Sequence, residues 1–159
     1  MRIGLISDTH GLVRPEALQA LAGVERIIHA GDIGGPEVLQ MLGGIAPVDA
    51  VRGNNDRSAP HATRAKAWGE HLPSRLTLEC GGVRIHVLHD VKELDVDPAA
   101  ARFRVVICGH SHKPLVSERD GVLFVNPGSA GPRRFTLPVT LGYLTVEAGT
   151  PHAEIKTLL

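Results

Sequence analysis

A chain of 159 residues is long enough for one well-filled core and short for two, so a single domain over 1–159 is expected. Seventeen Lys and Arg balance 17 Asp and Glu, and no basic stripe or like-charge run points to duplex nucleic acid or a membrane surface. The opening apolar run is too short for a signal-peptide core and no segment reaches bilayer-spanning length, so a soluble, cytoplasmic chain is the expectation.

In chain order, Ile3 to Ile6 reads as a strand, and Pro15 to Ala22 as a helix with Leu18, Leu21 and Ala22 on one apolar face. "RIIHAGD" is a second strand. Pro36 then opens the helix "PEVLQML", at a first-turn position where its missing N–H costs nothing, and "VDAVRGNND" is strand three. This is a βαβαβ start. The stretch from Arg57 to Pro73 reads as a polar connection with a little helix around Arg64 to Trp68. "RLTLECGGVRIHVLHD" then alternates on both sides of Gly81-Gly82, the signature of a hairpin with a two-residue turn. "DPAAARF" reads as a short helix, "RVVICGH" and "GVLFVNPGS" as strands, and "LGYLTVEAGTPHAEIKTLL" as a closing hairpin around Gly149, Thr150 and Pro151. Two sheets packed face to face with helices outside would bury these strands, an α/β sandwich. Cys80 and Cys108 end apolar runs and read as buried reduced thiols.

The strands end in "SDTH", "HAGD", "RGNND", "VLHD" and "CGHSH", each presenting oxygen or nitrogen ligands. Sites in open α/β sheets assemble at the carboxyl ends of strands, so Asp8, His10, Asp32, Asn54, His89, His110 and His112 could meet in one cleft. In "GHSH", residues two apart in extended chain point to one side, so His110 and His112 could converge on one object. Such a set suits two metals about 3.5–4 Å apart, with a bridging carboxylate neutralising part of the repulsion and imidazoles completing each shell. Asp32 is the natural bridge.

"DTH", "GD", "GNND", His89, "GHSH" and the later "NPGS" fall in the order of the calcineurin-like metallophosphoesterases, and the chain resembles their small bacterial and archaeal phosphodiesterase-like branch from Met1 to Val146. The resemblance implies the metallo-dependent phosphatase fold, a four-layer αββα sandwich of two mixed β-sheets flanked by helices. It implies one divalent ion on Asp8, His10, Asp32 and His112 and a second on Asp32, Asn54, His89 and His110, with Asp32 and Asn54 at the catalytic centre. A hydroxide bridging the ions would attack phosphorus, with no protein nucleophile. Manganese is expected from family habit, with zinc, iron, nickel and cobalt as alternatives.

A small phosphodiester is the expected substrate, with a phosphomonoester or nucleotide as the alternative; no membrane partner is expected, and homo-oligomerisation is left open. The sandwich also resembles the retromer metallophosphoesterase-like subunit, a protein-interaction scaffold, but here none of the seven ligand side chains is replaced and aromatic anchors are few.

Two residues depart from the family pattern. Asn55 stands where many relatives carry a histidine, and an amide is no proton source near neutral pH. Asp90 follows His89 where relatives usually carry glycine; it could orient His89 or face solvent, and pointing inward it would oppose an anionic substrate. His29 reads either as a donor behind the site or as a buried, hydrogen-bonded strand histidine. Asp56 could hold Asn54 or Asn55, Asn126 and Gly128 shape a turn, and Arg133 could reach a phosphate with its guanidinium fork.

Overall fold

The computed structural model describes residues 1–56 and 71–159, so the little helix expected around Arg64 to Trp68 lies outside the described residues. Among the described residues, ten strands and two α-helices follow one another as β1 (Arg2–Ile6), α1 (Pro15–Leu21), β2 (Arg26–His29), α2 (Pro36–Gly43), β3 (Val48–Ala50), β4 (Arg75–Cys80), β5 (Val83–Leu88), β6 (Val105–Ile107), β7 (Leu115–Arg119), β8 (Val122–Asn126), β9 (Thr140–Glu147) and β10 (Thr150–Thr157). They form two mixed five-stranded sheets, ordered β10-β9-β1-β2-β3 and β4-β5-β6-β8-β7.

Alternation along the strands builds the layers. Ile3 and Leu5 of β1 face the second sheet and join Ile28, Ile85, Val87, Val105, Ile107 and Val125 in the core between the sheets. On the other face of the first sheet, Ile6, Ile27, Leu141 and Tyr143 pack against Leu21 and Leu42 of the two helices. Gly4 permits the close approach of α1, because a Cβ there would overlap Leu21. The outer face of the second sheet is covered differently: Leu88, Phe103, Val106, Val122 and Phe124 lie with Leu94 and Ala101 of the 91–103 segment.

That segment corrects one expectation. "DPAAARF" is a single turn, with Asp97 Oδ1 accepting from the Ala99 backbone N–H at 3.0 Å, and Arg102 at φ 63° ends it before a helix can propagate. The Gly81-Gly82 turn has the expected chemistry, whereas the closing turn is made by Ala148 and Gly149. Gly81 and Gly82 sit at φ 59° and 80°, and Ala148 and Gly149 at 49° and 75°. The closing turn therefore falls just before Thr150, and Pro151 lies within β10, a sheet edge where a missing donor is tolerated. No helix among the described residues is long and apolar enough to cross a membrane.

Candidate metal centre

The strands of each sheet that run parallel, β1-β2-β3 and β5-β6-β8, end at the same cluster of loops. Beyond β1 and β2 the chain stays laced: the backbone N–H groups of Asp8, His10 and Gly11 donate to Gly31, Asp32 and Ile33 carbonyls at 3.0, 3.0 and 2.8 Å. This brings Asp8, His10 and Asp32 together. Within the second sheet, Gly109 N–H donates to the His89 carbonyl at 2.8 Å, and between the sheets His110 N–H donates to Asp8 Oδ2 at 3.1 Å, drawing the "GHSH" loop against β1.

Asp8 is fully buried and divides its oxygens. Oδ2 accepts from the Ser7 hydroxyl at 2.6 Å and from His110 N–H, while Oδ1 has no hydrogen-bond partner among the described residues and lies 3.4 Å from His112 Nε2 and 3.9 Å from both His10 Nε2 and His89 Nε2. Asp32 Oδ2 lies 3.3 Å from His89 Nε2 and 3.8 Å from His10 Nε2. Asp8, His10 and His112 thus form one group able to hold an ion, and Asp8, Asp32 and His89 another. Sequence reasoning named Asp32 alone as the shared carboxylate; of these two groups it is Asp8 that stands in both, while Asp32 reaches the first through His10 at 3.8 Å.

Electrostatics follow from burial and pairing. Burial raises the Asp8 carboxyl, but the nearby His112 imidazole and the Ser7 hydroxyl outweigh it and its pKa falls. Asp32, opposed by burial and favoured by His89 and the Asn55 backbone N–H, is lowered to about 2. For His89, burial pushes down, yet Asp32 and Asp8 prevail and raise it. Its Nδ1 lies 2.7 Å from the Ala30 carbonyl, so that nitrogen carries the proton and Nε2 is left as the lone-pair atom facing the carboxylates. The orienting partner of His89 is therefore Ala30, not Asp90.

The fit to a metal is tested by unsatisfied atoms. Asp8 Oδ1, His10 Nε2 and His89 Nε2 are buried with no hydrogen-bond partner among the described residues. Such atoms are costly unless a ligand completes them, and carboxylate plus neutral imidazole is a donor set for divalent transition ions. The residues fit.

The backbone at the cluster is unusual. Asp8, His10, Asp32, His110 and His112 all have positive φ, from 46° to 70°. Non-glycine residues rarely adopt this conformation, and where they cluster the strain belongs to a site. It also corrects the extended reading of "GHSH": with φ of 70° and 61° the two side chains do not follow strand alternation, and His110 Nε2 lies 3.8 Å from Asp90 Oδ2 while His112 turns to Asp8.

The remaining expected residues separate into three behaviours. Asn54 opens a 3-10 turn after β3 and lines, with His89, His110 and Asp90, a cavity of about 190 Å³. Asp56 is buried and accepts from the backbone N–H groups of Ile33, Gly34 and Gly53, so it ties the β2 and β3 loops rather than holding an asparagine side chain. His29 is a buried, fully bonded histidine: Nδ1 accepts from Gly31 N–H at 3.1 Å and Nε2 meets Thr9 Oγ1 at 3.0 Å. Asn126 bonds the Gly109 carbonyl and Ser111, bracing the "GHSH" loop. Arg133 is exposed, and among the described residues Arg52 is the arginine that lines the cavity. Sequence reasoning missed Arg52, although it stands beside the motif in "VRGNND".

A two-sheet α/β sandwich whose strand ends gather buried carboxylates and imidazoles defines an α/β fold with a candidate metal centre. The family model for the calcineurin-like phosphoesterase superfamily domain matches residues 1–149, and the chain belongs to that superfamily. It is 34% identical over 167 aligned residues to a probable metallophosphoesterase of Methanothermobacter thermautotrophicus, a match covering 98% of this chain and 91% of the relative. A solved archaeal phosphodiesterase superimposes with a TM-score of 0.77 at 27% identity, covering 98% of this chain and 100% of that one. Vps29 of Chaetomium thermophilum superimposes at 0.75 with 19% identity, covering 98% and 94%, a likeness of fold alone.

Proposed function

We propose that this metallophosphoesterase-family chain hydrolyses phosphodiester bonds of small substrates, with Asp8, His10, Asp32 and His112 holding one divalent ion and Asp32, Asn54, His89 and His110 a second. The observation that carries this reading is the convergence of Asp8 Oδ1, His10 Nε2 and His89 Nε2, buried and unpartnered among the described residues. The relative described as an archaeal phosphodiesterase, matched over 98% of this chain, supports the diester.

The ions, when bound, supply a water of lowered pKa and stabilise charge on the phosphoryl oxygens during in-line displacement. What the chain itself supplies is preorganisation. Ser7 and His110 N–H hold Asp8 Oδ2 and leave Oδ1 as the ligand atom. The Ala30 carbonyl keeps the His89 proton on Nδ1. Asp56 and Asn55 fix the loop and the carboxylate of Asp32. A protein-interaction scaffold would need none of these buried ligand atoms.

The test is metal analysis of the protein as purified, with a hydrolysis screen over phosphodiesters and phosphomonoesters after loading with manganese, zinc, iron, nickel or cobalt. The expected result is up to two ions per chain and diester hydrolysis that a chelator abolishes. A chain that takes up no divalent ion, or cleaves no phosphoester when loaded, would overturn the reading.

A further inference from the structure

We propose that Asp90 and Glu93 make the cavity beside His110 selective for phosphoesters bearing a single negative charge, so that diesters are taken in preference to monoesters. This rests on the phosphoesterase reading and adds to it the charge class of the substrate. The cavity is where a substrate of that centre would sit, because Asn54, His89 and His110 line it. His89 is 6% exposed, and its Nε2 has no hydrogen-bond partner among the described residues, an open ligand position on the cavity wall.

Among the described residues, two carboxylates and one guanidinium share that wall: Asp90, Glu93 and Arg52. Arg52 is tied at its backbone, its N–H donating to the Pro73 carbonyl at 2.9 Å, and its Nε is buried with no partner among the described residues. It is a cation able to meet one phosphoryl oxygen. The carboxylates are fixed by local structure. Asp90 Oδ1 accepts from Lys92 N–H at 3.1 Å and so caps the 3-10 turn Val91–Glu93, which directs Oδ2 to 3.8 Å from His110 Nε2. Arg75 braces the far end of that turn by donating to the Glu93 carbonyl at 2.6 Å. Its guanidinium charge is taken by Asp95 at 2.9 Å, so Arg75 does not neutralise the Glu93 side chain.

The consequence is a difference between substrates. A diester carries one negative charge at neutral pH, whereas a monoester, with its second pKa near about 6, carries close to two. Cations at the site attract the extra charge and the carboxylates repel it, so Asp90 and Glu93 take away part of what a dianion would gain over a monoanion and shift the preference towards the diester. Coulomb repulsion in a partly enclosed cavity is several times stronger than in water. Selectivity of this kind comes from penalising the wrong ligand rather than from gripping the right one.

The experiment uses the full chain loaded with manganese, comparing wild type, Asp90→Asn, Glu93→Gln and the double variant. For each, metal content is measured, with kcat/KM for bis(4-nitrophenyl) phosphate and for 4-nitrophenyl phosphate, and the affinity for inorganic phosphate by calorimetry. The two esters share a leaving group, so their ratio reports charge. Removing each carboxylate should raise kcat/KM for the singly charged diester and raise it further for the doubly charged monoester, shifting the monoester-to-diester ratio on the order of tenfold, and should tighten phosphate binding in parallel. Equal changes on both esters, or an unchanged ratio in Glu93→Gln, would overturn the proposal. Metal loss in Asp90→Asn with no ratio change in Glu93→Gln would likewise overturn it, showing Asp90 to be a support for His110. If no ester is cleaved by any variant, the phosphoesterase reading fails. The phosphate titration then still decides the charge selectivity, which tighter binding in Glu93→Gln upholds and unchanged binding overturns.

Discussion

Asn55 holds both carboxylate oxygens of Asp32, its backbone N–H donating to Oδ1 at 2.9 Å and its side-chain amide to Oδ2 at 3.1 Å. Seen only as the place of a missing acid, Asn55 is a loss; in the fold it is a short donor that aims a carboxylate. Removing such an orienting partner typically weakens metal binding about 10- to 100-fold. Asn55→Ala is therefore expected to lower divalent-ion affinity by that factor in a competition titration while the fold survives. Asn55→His should also lose this contact and load less metal. Wild-type affinity in both would mean that the backbone N–H alone holds Asp32.

Asp32 and Asp8 each face both sides of the cluster, but only Asp32 has its two oxygens held by one residue. Asp32→Asn should drop occupancy below one ion per chain and abolish hydrolysis. His112→Ala, on the Asp8 side, should keep one ion. Elemental analysis of the two variants, prepared alongside wild type, decides this; two ions in Asp32→Asn would remove its bridging role.

The ligand residues were legible in the sequence because each ends a strand, and parallel strands deliver their ends to one place. What braces them was not legible. Asp56 reaches backbone donors from Ile33 to Gly53, contacts set by how two loops settle against each other and invisible to spacing. Left-handed backbone at Asp8, Asp32 and three histidines carries no compositional signal either, since glycine or asparagine usually marks such positions. Strand β7 escaped because "LVSER" is an edge strand exposed along its whole length and shows no buried face to alternate with. Spacing also leaves Asp90 open between orienting His89 and facing solvent, because the backbone capping role that turns one carboxylate oxygen towards His110 is set by the 3-10 turn.

Histidine burial sets a pH window. The Thr9 hydroxyl donates to the Ile33 carbonyl at 2.8 Å, so His29 Nε2 must donate to Thr9 while Nδ1 accepts from Gly31, and the ring is held neutral. Burial lowers its pKa to about 3 from 6.5. The unfolded chain takes up this proton first, so the contribution is full above pH 6.5 and declines as pH falls towards 3, with a limiting slope of about 1.4 kcal/mol per unit. Asp32, at about 2 against 3.8, acts lower: its contribution is present above 3.8 and lost as pH falls through 2. His89 runs the other way, its raised pKa stabilising the metal-free fold below 6.5 and ceasing to do so as pH climbs through the folded value. In urea titrations of metal-free protein, His29→Asn should lose about 1–3 kcal/mol at pH 7 and show a shallower decline between 6.5 and 3. An unaltered decline would remove His29 from the acid response.

Gly53 sets the distance between the two loops that hold Asp32. A Cβ there would overlap both Oδ1 and the backbone nitrogen of Asp32, so a side-chain rotation cannot relieve the clash. Asp56 fixes the same loops by accepting from Gly53, Ile33 and Gly34, and they must part to admit a methyl group. Gly53 is not among the positive-φ glycines, so what it supplies is space. Gly53→Ala is expected to fold, with an unchanged circular dichroism spectrum, yet to bind divalent ions at least about tenfold more weakly, as loss of an orienting contact does. Gly23→Ala is the control: φ is +86° with nothing within 4 Å, so the methyl meets only left-handed strain, costing about 1–2 kcal/mol of stability and leaving metal affinity alone. Metal titration and urea unfolding of the pair separate the two effects. Wild-type metal affinity in Gly53→Ala would show that Asp32 keeps its position without the close approach of the β3 loop.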